Sequence, residues 1–173
     1  YVGIEDYKKA LTYYEKLMHR EAAKPIWVYE YGLLLYNESK YPQALAAFKA
    51  AADRGYTQSL DFKENLGYAS LYSGQYDQGE KLIMGVWEKK PANKDLLRGL
   101  SEVLYQQKQY DRSLVYCQKL LEIDDKDGKA LYQAGLCFQK KGEKDRGQQM
   151  CDKAIQIDPS LENLRRKKEI AGM

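Results

Sequence analysis

The chain has 173 residues, of which 44% are hydrophobic and 31% charged, and its 28 basic and 25 acidic side chains leave a formal net charge of +3. This length fits one folded domain with a sizeable core, and the charge balance gives no reason to expect binding to nucleic acid or to an anionic membrane surface. The longest apolar run, GLLLY at 32–36, is far too short to span a bilayer, so membrane insertion is not expected.

The first predicted element, a helix over 4–20, contains a tyrosine followed three residues later by a small residue, Tyr7 and Ala10. The tyrosine recurs at steps of 34, 35 and 34 residues, and a further step of 34 reaches a lysine. The later copies pair Tyr41 with Ala44, Tyr76 with Gly79, Tyr110 with Ser113, and Lys144 with Gly147. Nine residues before each of these copies stands another small residue, in turn Gly32, Gly67, Ser101 and Gly135. A period of this length predicts stacked repeats of two antiparallel helices, in which small side chains let the helices approach closely.

The helix at 4–20 has no first partner, and four complete helix pairs and a final helix are predicted to follow it. The pairs are expected at about 25–58, 59–92, 93–126 and 127–159, with prolines or turn residues at their ends. The segment 160–172 begins with a good capping residue, Ser160, and lacks the small-residue positions, so it is expected to cap the last pair. We therefore predict that 1–173 is a single all-α solenoid domain.

The segment ALYQAGLCFQKKGEKDRGQQMCDKAIQIDP, at 130–159, has leucine, glycine, aromatic, small, alanine and proline positions at Leu131, Gly135, Phe138, Gly147, Ala154 and Pro159. Together with YGLLLYNESKYPQALAAFKAA and NLGYASLYSGQYDQGEKL, it resembles the tetratricopeptide repeat family. The resemblance implies a right-handed α-α superhelix of stacked helix-turn-helix repeats. Three features depart from the pattern. One extra residue stands in DRGYTQSLDF, Ser101 replaces the glycine of the third complete pair, and Lys63 holds a position that is usually large and apolar, for which we expect Phe62 to compensate.

In such a solenoid the first helices of the pairs line a concave groove, and tyrosine is concentrated in them. Of the 16 tyrosines in the chain, seven fall in first helices. Tyrosine offers a wide contact area at low entropy cost and keeps a hydroxyl for hydrogen bonds. We therefore predict a peptide or partner helix bound in this groove by Tyr29, Leu33, Tyr36, Tyr68, Tyr72, Arg98, Tyr105 and Tyr132. The alternative is that the tyrosines only fill gaps in a weakly apolar array.

Some members of the family grip the C-terminal carboxylate of cytosolic chaperones with lysine, asparagine and arginine side chains on the first helices. The matching positions here are Tyr29 and Leu33, Glu64 and Tyr68, Arg98 and Glu102, and Tyr132 and Leu136. Only Arg98 suits that role, and the two glutamates would repel a carboxylate. We therefore predict no chaperone-tail carboxylate clamp.

Candidate catalytic and metal-binding residues are few. His19 is the only histidine, so neither a His-based triad nor a multi-His metal site can be built within this sequence. We expect Cys117, Cys137 and Cys151 to be buried free thiols, with a disulfide between the last two left open. DDKDG lacks the spacing of a calcium loop and is expected to form a turn in which Asp127 caps the next helix. We predict no catalytic residue, no metal, no cofactor and no enzymatic activity.

The sequence thus predicts a protein–protein interaction module, acting as a scaffold or adaptor. The alternative is a structural spacer or oligomerisation segment of a larger protein, which would associate through the open N-terminal edge at 4–20. RRKK at 165–168 is expected to be a solvated face, so nucleic-acid binding ranks below both. Buried thiols favour a cytoplasmic location. The start at Tyr1, without an initiator methionine, suggests a longer parent protein and leaves a periplasmic or cell-envelope location open.

Overall fold

The computed structural model describes residues 4–20 and 23–171, and all regular secondary structure within these ranges is helical, so the predicted all-α fold is confirmed. The elements are α1 Ile4–Met18, α2 Pro25–Asn37, α3 Tyr41–Asp53, α4 Leu60–Tyr72, α5 Tyr76–Lys89, α6 Lys94–Gln106, α7 Tyr110–Ile123, α8 Gly128–Lys140, α9 Lys144–Ile157, a 3-10 turn Pro159–Leu161, and α10 Glu162–Ala171. The chain divides into two compact units, 1–89 and 90–173. The two ends of the predicted domain, 1–3 and 172–173, lie outside the described residues.

Helix pairs in the first unit cross at positions that only a small residue can occupy. A Cβ atom added at Gly32 would lie 2.6 Å from Cε1 of Phe48, and one added at Gly67 would lie 2.7 Å from Cδ1 of Ile83. Phe48 and Ile83 hold the same position of the repeat, and both are fully buried. The two glycines therefore serve equivalent crossings, α2 on α3 and α4 on α5, because a larger side chain would push the helices apart.

The second unit repeats this crossing in two chemical forms. Where α8 crosses α9, a Cβ atom added at Gly135 would lie 2.7 Å from Sγ of Cys151. Where α6 crosses α7, the hydroxyl of Ser113 donates a 2.6 Å hydrogen bond to the carbonyl oxygen of Ser101, and both serines are buried. A buried hydroxyl needs a partner, and the opposing backbone supplies it, so serine can stand where the other pair has glycine.

The turn inside each helix pair contains one residue with a positive φ angle. These residues are Ser39 (58°), Gly74 (80°), Lys108 (59°) and Gly142 (95°). Left-handed backbone favours glycine because the Cβ atom of other residues clashes with the neighbouring carbonyl. The left-handed conformation of this turn therefore explains why Gly74 and Gly142 are glycines. At Ser39 and Lys108 the same conformation costs about 1–2 kcal/mol per residue.

The periodic tyrosines mark the starts of the second helices. Helix α3 begins at Tyr41, α5 at Tyr76 and α7 at Tyr110. The ring centroids of Tyr41 and Tyr36 lie 5.2 Å apart, and those of Tyr110 and Tyr105 lie 5.5 Å apart. In each of these two pairs, the tyrosine that begins the second helix, which we call the hinge tyrosine, packs against the last turn of the preceding helix.

The extra residue of the long repeat step is accommodated in the loop between α3 and α4. Tyr56 of this loop stacks on Tyr29 with ring centroids 4.5 Å apart. Phe62 is fully buried, while Lys63 beside it stays partly exposed. Phe62 therefore fills the apolar position that the lysine leaves, as predicted.

The end of the first helix and the start of the last one differ from the sequence prediction. Helix α1 stops at Met18, two residues before the expected end at 20. At the other end the cap is Asp158, whose Oδ1 accepts hydrogen bonds from both the amide and the hydroxyl of Ser160. Because that hydroxyl is engaged with Asp158, Ser160 does not cap a helix, and a 3-10 turn precedes α10. Leu161 of this turn is buried, at 2% exposure.

Candidate functional site

Four residues of the first unit, Tyr36, Tyr41, Tyr68 and Tyr72, form a group that we call the first-unit tyrosine cluster. The rings of Tyr41 and Tyr72 stack with centroids 4.2 Å apart and an interplanar angle of 14°. Tyr36 meets both rings edge-on, at 5.2 Å and 6.3 Å. Burial raises the pKa of Tyr36, and the neighbouring phenols, including Tyr68, and the carboxylate of Glu64 raise it further. The hydroxyl of Tyr36 therefore stays protonated and can donate a hydrogen bond.

The cluster contains three of the predicted groove residues, Tyr36, Tyr68 and Tyr72, on α2 and α4. All three are partly exposed. Leu33 lies one turn before Tyr36 on α2, is partly exposed, and packs against the core of the unit. The hinge tyrosine Tyr41 was not among the predicted groove residues, and it joins the cluster because its ring stacks on that of Tyr72.

Tyr29, also predicted for the groove, lies in the core of the first unit with 9% exposure. Its ring packs against those of Phe48 and Phe62, each with centroids 5.5 Å away, and stacks on Tyr56. Its hydroxyl accepts a 2.8 Å hydrogen bond from Nδ2 of Asn65. Burial raises the pKa of Tyr29, although the bond from Asn65 acts in the opposite direction. The contacts of Tyr29 are therefore mainly internal.

The second unit contains a cleft of about 230 Å³ between α6, α8 and the C-terminal helix, which we call the α6–α8 cleft. It is lined by Arg98, Ser101, Glu102, Lys129, Ala130, Tyr132, Gln133, Leu161 and Leu164. Two of these, Arg98 and Tyr132, are predicted groove residues. Glu102 and Lys129 are exposed and give the cleft one charge of each sign, and Leu164, at 49% exposure, gives it an apolar wall.

Arg98 is paired within the chain, a contact that its sequence position does not indicate. Its guanidinium donates two hydrogen bonds to the carboxylate of Asp127, of 3.2 Å and 3.0 Å. The same carboxylate accepts a 3.0 Å hydrogen bond from the amide of Ala130 and so caps α8, as predicted. Burial by itself raises the pKa of Asp127, but the bonds from Arg98 and Ala130 outweigh it and lower the pKa. Arg98 therefore positions the start of α8 as well as lining the cleft.

The last two predicted groove residues, Tyr105 and Tyr132, lie on α6 and α8. Tyr132 is buried, at 6% exposure, and only part of its surface reaches the α6–α8 cleft. Tyr105 is partly exposed and packs against the hinge tyrosine Tyr110. Burial raises the pKa of both tyrosines, so neither hydroxyl is ionised near neutral pH.

The cysteines behave as predicted: Cys117, Cys137 and Cys151 are all free and buried. Burial raises the pKa of Cys117 to about 12 and also raises that of Cys137, so their thiols stay protonated and unreactive. His19 is exposed at the end of α1. Within 4–20 and 23–171, no cluster of three or more His, Cys, Asp or Glu side chains has the arrangement of a metal site. Across these same ranges, no helix combines the length and apolar character needed to cross a membrane.

Three models of the tetratricopeptide repeat match the chain, at residues 1–59, 70–134 and 128–161. The chain belongs to the tetratricopeptide repeat family. Its repeats are the helix pairs described above, and the fold of this family serves protein–protein interaction and is generally non-catalytic.

Human protein O-mannosyl-transferase TMTC1 is 28% identical to this tetratricopeptide repeat chain over 152 residues. The match covers 88% of this chain but only 16% of that protein. Among solved structures, YrrB, described as a TPR protein with an unusual peptide-binding site, is 22% identical with a TM-score of 0.64, covering 95% of this chain and 85% of YrrB. MamA from Desulfovibrio magneticus RS-1 is 19% identical, also with a TM-score of 0.64, covering 90% of this chain and 87% of MamA. These likenesses show the repeat fold.

Proposed function

We propose that this chain binds a peptide or a helix of a partner protein on the first helices of its repeats, with the first-unit tyrosine cluster as the main contact. The observation that carries this proposal is the packing of Tyr36 against Tyr72, with Tyr68 one turn before Tyr72 on α4. All three tyrosines are partly exposed, and they come from two successive first helices. In this reading the chain acts as a scaffold or adaptor and carries out no chemistry itself.

The chemistry of the cluster suits a binding surface. Tyrosine is enriched among the residues that dominate binding energy, because it buries a large ring and still offers a hydroxyl. The rings of Tyr36, Tyr41 and Tyr72 already rest against one another at 4.2–6.3 Å. A surface whose side chains are held before the partner arrives loses less conformational entropy on binding, so more of the contact energy appears as affinity.

The α6–α8 cleft of the second unit is a separate candidate surface of different character. Its apolar wall at Leu164 and its exposed charges at Glu102 and Lys129 suit a peptide with an apolar side chain next to charged ones. We do not propose a carboxylate clamp, because Arg98 is already bound to Asp127 and Glu102 would repel a carboxylate. The peptide-binding site named for YrrB lends support by analogy of fold.

The proposal is tested by selecting peptides from a random library on the immobilised chain and measuring their affinity by calorimetry. We expect the double variant Tyr36→Ala, Tyr68→Ala to weaken binding by at least about tenfold, as loss of central interface tyrosines commonly does. The matched control is Tyr13→Ala, which removes an exposed tyrosine from α1 and should leave the affinity unchanged. Circular dichroism of each variant shows whether it remains folded.

Amide chemical shifts of the unmodified chain give a second test that does not depend on variants. Addition of a selected peptide should shift the amide signals of α2 and α4. Shifts confined to other helices, or affinity unchanged by the double tyrosine variant, would refute the cluster as the binding surface. Association of the chain with itself in light scattering, without any peptide bound, would favour an oligomerisation segment instead.

A further inference from the structure

One position of the repeat, the third residue of each first helix, changes size in α8. The residue is Trp27 in α2, Phe62 in α4 and Leu96 in α6, but it is Ala130 in α8. Phe62, Leu96 and Ala130 are all buried, at no more than 2% exposure, so the position faces inward in these three repeats. A buried alanine where the other repeats have a large side chain leaves space that the surrounding structure fills only in part.

The first unit shows how a large residue closes this position. The rings of Phe62 on α4 and Tyr29 on α2 pack with centroids 5.5 Å apart, and Phe62 is fully buried. Asn65, three residues after Phe62, donates a 2.8 Å hydrogen bond to the hydroxyl of Tyr29. The junction between these two successive first helices is therefore filled, and its buried amide donor has a partner.

The second unit has different residues at the same junction, between α6 and α8. Where the first unit has Tyr29 and Phe62, the second has Arg98 and Ala130. The guanidinium of Arg98 is engaged by the carboxylate of Asp127, at 3.0 Å and 3.2 Å. Both Arg98 and Ala130 line the α6–α8 cleft of about 230 Å³. The cleft therefore lies where the first unit has the ring of Phe62.

An amide donor that lines the cleft lacks a good acceptor. Gln133 of α8 holds the position that Asn65 holds in α4. Its Nε2 atom is buried and has no hydrogen-bond partner of normal geometry among the described residues, and its interaction with the thiol of Cys137 is with a weak acceptor. A carbonyl oxygen of a bound peptide would supply the acceptor that the hydroxyl of Tyr29 supplies in the first unit.

The size of the cleft limits its occupant to one large side chain. An apolar cavity of about 150 Å³ holds a benzene ring, whereas sites for drug-sized molecules measure about 300–1,000 Å³. At about 230 Å³, the cleft fits a leucine, methionine or phenylalanine side chain and is too small for a drug-sized ligand. The buried Leu161 and the half-exposed Leu164 supply apolar surface for that side chain.

The charges at the cleft restrict the class of the occupant. Glu102 on α6 and Lys129 on α8 are both exposed, and they attract a basic and an acidic side chain respectively. Nucleic acid and anionic membrane surfaces carry charge of one sign only, so one of the two residues would repel them. A peptide can carry both signs, one on each side of an apolar residue.

We propose that the α6–α8 cleft anchors a single leucine, methionine or phenylalanine side chain of a partner peptide. An acidic residue of that peptide lies next to Lys129, and a basic residue lies next to Glu102. Ala130 is the residue that makes room for the anchor. This inference rests on the proposed function, because it specifies what the α6–α8 cleft selects in a bound peptide.

A random peptide library supplies the probes, selected on the immobilised parent chain and counter-selected on the full-length variant Ala130→Leu. This variant fills the cleft with the side chain that Leu96 places at the same position, so its free energy of unfolding in urea should be unchanged or higher. Peptides that the parent retains and the variant releases should carry one apolar anchor between an acidic and a basic residue. Calorimetry should show at least about tenfold weaker binding of these peptides to Ala130→Leu.

Two further variants change exposed residues and therefore do not depend on how the buried alanine tolerates substitution. Leu164→Glu should weaken the selected peptides by about tenfold, whereas Val115→Glu, at an apolar residue of matching exposure on α7, should leave their affinity unchanged. Lys129→Glu should weaken them as well. Peptides whose acidic residue is replaced by lysine should recover binding to the Lys129→Glu variant, which a merely structural role of Lys129 would not produce.

Three results would overturn the inference and leave the proposed function intact. They are equal binding of the peptides to the parent and to Ala130→Leu, equal binding to the parent and to Leu164→Glu, and affinity that Lys129→Glu does not change. If Ala130→Leu does not fold, the Leu164→Glu and Lys129→Glu comparisons decide the outcome. If no peptide of the library binds the parent chain, the proposed function itself fails and this inference fails with it.

Discussion

Two glycines on α5, Gly79 and Gly85, allow the packing of a helix pair to be measured with one substitution, glycine to alanine. A Cβ atom at Gly79 would lie 2.6 Å from Cγ of Leu71 and 2.9 Å from the carbonyl oxygen of Gly67. Because the second neighbour is backbone, α4 and α5 must move apart, and strain of this kind costs about 1–3 kcal/mol. A Cβ atom at Gly85 would meet no atom within 4 Å.

Replacing glycine by alanine stabilises a helix by about 1 kcal/mol at either site, so this contribution cancels when the two variants are compared with each other. We expect Gly85→Ala to raise the free energy of unfolding by about 0.5–1 kcal/mol, and Gly79→Ala to lie about 1–3 kcal/mol below it. In a chain of this size, each kcal/mol shifts Tm by about 2–4 °C.

Urea unfolding followed by circular dichroism measures both variants against the parent chain, and an unchanged m-value shows that the same surface unfolds. A difference of less than about 0.5 kcal/mol between the two variants would refute the steric explanation for Gly79, since surface substitutions commonly differ by that much.

Three further predictions concern a turn, an ion pair and the thiols. Gly74→Ala should lower the free energy of unfolding by about 1 kcal/mol, because a φ of 80° disfavours any side chain, even where the surrounding space is open. A free energy of unfolding in urea equal to that of the parent chain would contradict this prediction. Because the pKa of Asp127 is lowered in the folded chain, its contribution to stability is complete above the unfolded value of about 3.9 and is lost as the pH falls through the folded value. Asp127→Asn should therefore lose less stability than the parent chain between about pH 5 and pH 2, and parallel acid-unfolding curves would show that the pair contributes nothing. All three thiols are buried, and burial raises the pKa of Cys117 to about 12, so none should react with Ellman's reagent near neutral pH until the chain unfolds. Rapid reaction of the folded chain would show an accessible thiol.

The helix pairs could be predicted because the constraint that makes them is local and repeated. A small residue at the crossing and a tyrosine at the hinge recur in successive repeats, so their spacing alone is enough to mark Gly32 and Gly67 as equivalent positions. For the same reason, the spacing marks Ser101 as the residue that takes the place of the glycine at the α6–α7 crossing. The hydrogen bond that its carbonyl oxygen accepts from Ser113 could not be predicted from spacing.

The groove residues were harder to predict, because position on a helix face does not say what else reaches that face. Tyr29 lies on a first helix as expected, but the loop with the extra residue brings Tyr56 over its ring and encloses it. Arg98 and Asp127 are 29 residues apart and belong to different repeats, so no spacing rule pairs them. The Tyr41–Tyr72 stack was unpredictable in the same way, since it joins a hinge position of one repeat to the first helix of the next.

The two compact units carry unequal spectroscopic reporters. Both tryptophans of the chain, Trp27 and Trp87, fall in residues 1–89, and 90–173 contain none. Indole emission during denaturation thus follows the N-terminal half alone, while ellipticity at helical wavelengths follows both halves. Superimposable curves from the two signals would mean that the halves melt as one cooperative body, and separated midpoints would assign a stability to each without dissecting the chain.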